Sequence, residues 1–161
     1  MQTKLLKLAS ALTLLCVGQI ALAQSLVGHV SQMTGMIVSK RADGSARLIA
    51  AGSAVFEGDT LATGDESFAK LAFLDDAEII LKPQTRLRVA GYSYDAAQPS
   101  RDAVDLELLA GSLKSTAGKL GKRSPGATTI RTPGGDVKAE GGSFILALQP
   151  SETPMPTTSL K

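Results

Sequence analysis

The sequence predicts an all-β fold: a single domain of many short strands, closed as a compact β-solenoid-like roll or as a sandwich, with little helix. Three observations carry the prediction. Short apolar segments, mostly of four to seven residues, recur at spacings near ten. Several of them alternate with a period of two, which is the period of a half-buried strand. Between them stand Gly, Asp-Gly or Pro, the residues that turn a chain.

Taken in order, Leu26–Val30 and Met36–Val38 open the series, and Asp43-Gly44 follows in a hairpin-like context. Glu57-Gly58-Asp59-Thr60 reads as a tight turn, with Gly58 where a β-carbon is unwelcome and Asp59 able to bond nearby amides. Ala69–Leu74 and Glu78–Leu81 flank Asp75-Asp76, a second hairpin context. Pro83 lacks a ladder donor, so a bend between two strands is expected there. In Thr85–Val89 one face is apolar and the other carries Arg86 and Arg88. In Val104–Leu109 the polar face carries Asp105 and Glu107 instead. Thr128–Arg131 ends at Thr132-Pro133-Gly134, where Pro sets φ and the chain is redirected, and Val137–Ala139 follows. In the last segment Phe144, Leu146 and Leu148 share one face, while Ile145 and Ala147 share the other. Residues 117–127 hold Gly118, Gly121, Pro125 and Gly126 and read as a mobile loop.

Composition narrows the function. The chain has 161 residues with one Cys and one His, four Phe, two Tyr and no Trp. No intrachain disulfide, cysteine-rich zinc site or multi-histidine metal cage can be built from that inventory. Lys4, Lys7, an uncharged stretch from Leu8 to Ala23 and the small residues Ala21 and Ala23 have the layout of a secretory leader cleaved after Ala23. The uncharged stretch is short for a membrane span and contains Ser10, Thr13 and Gln19. Cys16 sits within the apolar centre and follows Leu14-Leu15, which argues against a lipid anchor. The expected division is a signal peptide over 1–23, a β domain over 24–148 and a disordered Pro/Ser/Thr-rich tail over 149–161. Of the 17 basic side chains only Lys4 and Lys7 fall in the leader, leaving 15 of each sign and no net charge. A thiol-free mature chain suits an oxidising compartment.

The ordered motifs resemble the FecR-domain family of extracytoplasmic β-rich modules. The resemblance begins at Val27-Gly28-His29-Val30 and Gly35-Met36-Ile37-Val38 and is most specific at Val55-Phe56-Glu57-Gly58-Asp59-Thr60-Leu61-Ala62-Thr63-Gly64. It continues through Ile79–Thr85, Leu108-Leu109-Ala110-Gly111-Ser112-Leu113 and Ile130-Arg131-Thr132-Pro133-Gly134, covering roughly residues 27 to 148. Two departures stand out. The family's Asp-Gly turn is Asp75-Asp76 here, without glycine's easy positive φ, and Glu140-Gly141-Gly142-Ser143 replaces a Gly-Thr step before the last strand. The residues Gly58, Asp59, Asp75, Asp76, Gly111, Thr132, Pro133 and Gly141 are therefore expected to be structural turns.

Candidate sites are few. His29 has only Ser25 and Ser31 nearby in sequence, and an ordinary strand histidine is the simpler reading. Asp75, Asp76 and Glu78 lack the alternating ligands and the glycine of a calcium loop, so a solvated hairpin turn is expected. The interval from Leu108 to Gly135 holds Lys114, Lys119, Lys122, Arg123 and Arg131 and no acid. It reads either as a solvated connection or as a contact surface for an anionic partner such as glycan strands, lipopolysaccharide or an acidic protein face. No aromatic residue interleaves these cations, so nucleic acid is not expected as a partner.

The resemblance implies a non-enzymatic binding or scaffolding module in the bacterial envelope, periplasmic, without a cofactor or a membrane span in the mature protein, and meeting an envelope protein or an anionic envelope glycan. The alternative is a signalling accessory that binds an outer-membrane receptor or a separate transmembrane sigma regulator. A hydrolytic enzyme is a third reading, for which the sequence offers no nucleophile–base pair or metal cluster.

Overall fold

A computed structural model describes residues 24–149. The expected signal peptide over 1–23 and the expected tail from residue 150 onward lie outside the described residues. The chain forms β1 (Leu26–Thr34), β2 (Ile37–Lys40), β3 (Ala46–Leu48), β4 (Ala54–Phe56), β5 (Thr60–Thr63), β6 (Phe68–Phe73) and β7 (Glu78–Leu81). Then come β8 (Arg86–Ser93), β9 (Ala103–Ala110), β10 (Ser112–Thr116), helix α1 (Lys119–Arg123), β11 (Thr128–Thr132), β12 (Gly135–Ala139) and β13 (Ser143–Ala147). A single 3₁₀ turn at Pro99–Arg101 precedes β9. No helix among the described residues is long and apolar enough to cross a membrane.

Two sheets result. One has six strands in the order β13-β10-β7-β6-β1-β4, and the other seven in the order β12-β11-β9-β8-β5-β2-β3. The chain passes repeatedly from sheet to sheet, so the two share one core, as in a sandwich. Val30, Leu71, Leu81 and Leu113 from the first sheet and Leu61, Leu87, Leu106, Leu108 and Ile130 from the second belong to that cluster, each at most 1% exposed. Each such side chain contributes about 1.5–3 kcal/mol on burial, which is what holds so many short strands together. The solenoid-like element is the one parallel pair among the described residues, β9 with β11, reached by way of β10 in the opposite sheet and α1.

The alternation read from the sequence finds its partners across strands. Arg88 on β8 meets Glu107 on β9 at 3.3 Å, and Arg131 on β11 reaches Asp105 at 3.1 Å and Glu107 at 3.7 Å. These pairs lie on the outer face of the seven-stranded sheet and set register more than stability. The Asp43-Gly44 hairpin is present: the Arg41 amide donates to Ser45, and Gly44 adopts φ +85°. The bend at Pro83 carries the chain from β7 in one sheet to β8 in the other.

Two differences from the sequence reading matter. β10 has a single apolar residue, Leu113, because the second inward position is filled by the buried Ser115, which hides the alternation. Residues 117–127 are not a free loop: α1 occupies the middle of that interval, with Leu120 fully buried in the shared core. Helices this short have no stability of their own and form only when packing and capping supply it.

Candidate functional site

Helix α1 is held by Asp75. The Asp75 carbonyl accepts the Lys119 amide at 2.6 Å, and its carboxylate Oδ2 accepts the Leu120 amide at 3.1 Å. One residue of a distant hairpin thus satisfies, through its carbonyl and its carboxylate, two amides that the first turn of a helix leaves open, and the carboxylate's charge suits that end. The other carboxylate oxygen accepts the Tyr92 hydroxyl at 3.1 Å, and that hydroxyl in turn accepts the Asp75 amide at 3.1 Å. Burial, reinforced by the Asp75 charge beside it, pushes the Tyr92 hydroxyl well above the usual phenol range. Asp75 is only 2% exposed, so the solvated turn expected for Asp75-Asp76 is half right. Asp76 is the exposed partner and adopts φ +63°, the position that Gly44 fills in the comparable hairpin; a short polar side chain tolerates it. The third acid of that run, Glu78, pairs with Lys70 at 2.6 Å. The three acids therefore point to three different partners and do not converge on an ion.

The five cations of the Leu108–Gly135 interval separate in the same way. Arg123 donates from Nε and Nη2 to the two Asp102 carboxylate oxygens at 2.7 and 2.6 Å, and from its Nη atoms to the carbonyls of Ala96 and Asp95. Its guanidinium also stacks 4.8 Å above the Tyr94 ring. The Asp102 side chain is 1% exposed and accepts the Ser124 hydroxyl as well. Arg123 beside it, with burial opposing, holds the Asp102 carboxyl below the usual carboxylate range. Arg123 is thus a clamp between α1 and the β8–β9 connection. Lys119 pairs with Asp76 at 2.8 Å on an open surface, and Arg131 is engaged with Asp105 and Glu107. Lys114 on β10 and Lys122 on α1 are exposed and have no acidic partner among the described residues.

The turn residues occupy both ends of the sandwich. Asp59 is fully buried and its Oδ2 accepts the Phe56 amide at 3.1 Å across the turn containing Gly58. Gly111 lies against Thr85, whose hydroxyl donates to the Ser112 carbonyl at 2.8 Å and accepts its amide at 3.0 Å. Thr132 closes the β11–β12 hairpin by accepting the Gly134 amide and donating to the Gly135 carbonyl, with Pro133 between. Gly141 and Gly142 both have positive φ, and the Gly142 carbonyl accepts the Ala117 amide at 2.7 Å, leading the chain into β13.

Two concavities follow from this arrangement. Beneath Gly118 and Gly121, an apolar cavity of about 30 Å³ lies among Phe73, Ile79, Tyr92, Leu106 and Phe144. It has room for a water or two and no more. At the other end of β7, an open trough of about 520 Å³ is bounded by Pro83, Gln84, Leu109, Gly111, Pro133 and Leu148. Three motifs far apart in sequence converge on it, and none of these six side chains is titratable. His29 stands apart from both. It is exposed on β1, with Ala54 and Ala72 as its cross-strand neighbours.

The family model described as FecR protein matches residues 59–157. A solved structure described as a cell surface anchoring domain is similar at 21% identity, over 38% of this chain and 82% of that one, with a TM-score of 0.38. No curated protein matches the chain.

Proposed function

Because the chain belongs to the FecR protein family, we propose that it is a non-enzymatic binding or scaffolding module of the bacterial cell envelope, working in the periplasm. The observation that carries this reading is where the motif residues go. Asp59, Asp75, Thr85, Gly111 and Thr132 are consumed in turns and sheet-to-sheet bonds, so the motifs build a frame and leave its surface to partners. Across the sheet His29 faces Ala54 and Ala72, neither of which can exchange a proton with it. On the outside, Lys114 and Lys122 are the cations of the basic interval available to an anionic envelope glycan or an acidic protein face.

Crosslinking in intact cells, followed by identification of what is captured, tests the proposal. Capture of glycan or of an envelope protein is expected. The double variant Lys114→Glu, Lys122→Glu is expected to keep the wild-type melting temperature and to lower capture of an anionic partner by roughly tenfold, as loss of surface contacts does. Undiminished capture in moderate salt would remove these lysines from the contact surface. Recovery of an outer-membrane receptor or a transmembrane regulator, without glycan, would favour the signalling-accessory role instead.

A further inference from the structure

Among the described residues the sandwich has four edge strands: β13 and β4 on one sheet, β12 and β3 on the other. Each edge presents unpaired backbone groups, and natural sheets blunt such edges by shortness or charge. β3 and β4 have three residues each, and β3 carries Arg47. β12 carries Asp136 and Lys138. β13 is different. It runs five residues as Ser143-Phe144-Ile145-Leu146-Ala147, and neither charge nor proline occurs from Gly141 to Gln149.

The direction of its free groups is set by its neighbours. The Gly142 carbonyl accepts the Ala117 amide, and the Leu148 amide donates to the Gly111 carbonyl at 2.9 Å, so the even-numbered positions bond toward β10. By the two-residue period the amides and carbonyls of Ser143, Ile145 and Ala147 point away from β10. No strand among the described residues meets them. Ile145 is 69% exposed, while Phe144 and Leu146 pack against the core.

We infer that β13 pairs antiparallel with β13 of a second copy of this chain, about a two-fold axis at Ile145, joining the two six-stranded sheets into one. The strand is self-complementary in that register. Ile145 meets Ile145 of the second copy, Ser143 meets Ala147 at both ends, and each outward amide faces an outward carbonyl. No like charges oppose each other. The nearest cation, Lys114, lies beside Ile145 on β10. Three strand spacings, about 14 Å, separate it from its counterpart, which exceeds the screening length of about 8 Å. Head-to-tail pairing of β13 with β4 would engage only the three residues of β4 and would grow without closing.

Sedimentation of the full chain over a concentration series tests this, with two variants. Wild type is expected to dimerise. Ile145→Lys is expected to keep the wild-type circular dichroism and melting temperature and to raise the dimer dissociation constant roughly tenfold or more. In a Cys16→Ser background, Ile145→Cys is expected to crosslink to itself on mild oxidation, because opposed residues of a hydrogen-bonded pair lie about 5.5 Å apart. Ser143→Cys, about 14 Å from its own counterpart in this register, is expected not to. A monomer at all concentrations, an open-ended oligomer, or a dimer that Ile145→Cys fails to crosslink would each overturn the inference.

Discussion

Gly118 and Asp75 share a contact that admits no side-chain atom. A β-carbon on Gly118 would stand 2.3 Å from the Ala77 amide nitrogen and 2.4 Å from the Asp75 carbonyl oxygen, both backbone atoms that cannot turn aside. The close approach exists because Asp75 must reach the first turn of α1 from the β6–β7 hairpin. Gly118→Ala is therefore expected to destabilise the protein by about 3 kcal/mol, the upper range for overpacking, with the change read as a shift in the denaturant midpoint. An unchanged midpoint would mean that α1 can lift away at little cost. Asp75 was legible as a turn residue, since Asp is favoured there, but its capping of α1 was not, because its two amide partners lie more than forty positions later.

At the scale of elements, α1 shows how much a five-residue helix depends on others. Asp75 holds its start, Leu120 anchors its middle, and Arg123 ties its end to Asp102 and the β8–β9 connection. Because the folded state holds Asp102 below its unfolded value, this clamp adds stability that is complete above about pH 4 and lost as the pH falls through the folded value. Asp102→Asn is expected to lower the melting temperature at neutral pH by roughly 5 °C and to flatten the acid decline, measured by thermal melts between about pH 2 and about pH 7. A parallel decline in the two proteins would remove Asp102 from the acid transition. The five basic residues of this interval were legible as a group, yet sequence could not separate Arg123, a clamp, from Lys122, an exposed neighbour on the same helix. The acids that decide the matter come from distant turns and from β9.

At the scale of the molecule, the family match begins at residue 59, whereas the sandwich begins at Leu26. β1 lies between β6 and β4, and β2 lies between β5 and β3, so the segment before Asp59 is built into both sheets. Val27, Val30, Ile37 and Val55 from that segment are at most 2% exposed in the shared core. A fragment starting at Asp59 is thus expected to lack a cooperative thermal transition, whereas residues 24–161 melt in one step. A cooperative fragment would show that β1 to β4 are an addition to a self-sufficient body.

By itself the sequence determined the class of fold and most strands, because alternation and turn chemistry are local properties of neighbouring residues. It located β7 at Glu78–Leu81 and placed Phe144, Leu146 and Ile145 on their proper faces of β13. It passed over β3 and β4, too short to show a period, and β5 and β10, whose inward Thr63 and Ser115 break the apolar pattern. Only the tertiary structure chose the sandwich, brought Arg88 and Arg131 to Glu107, and turned the expected loop into a capped helix. Each of those outcomes depends on contacts between residues far apart in the chain. Pairing of that kind is set by which strands become neighbours, and no local pattern encodes it.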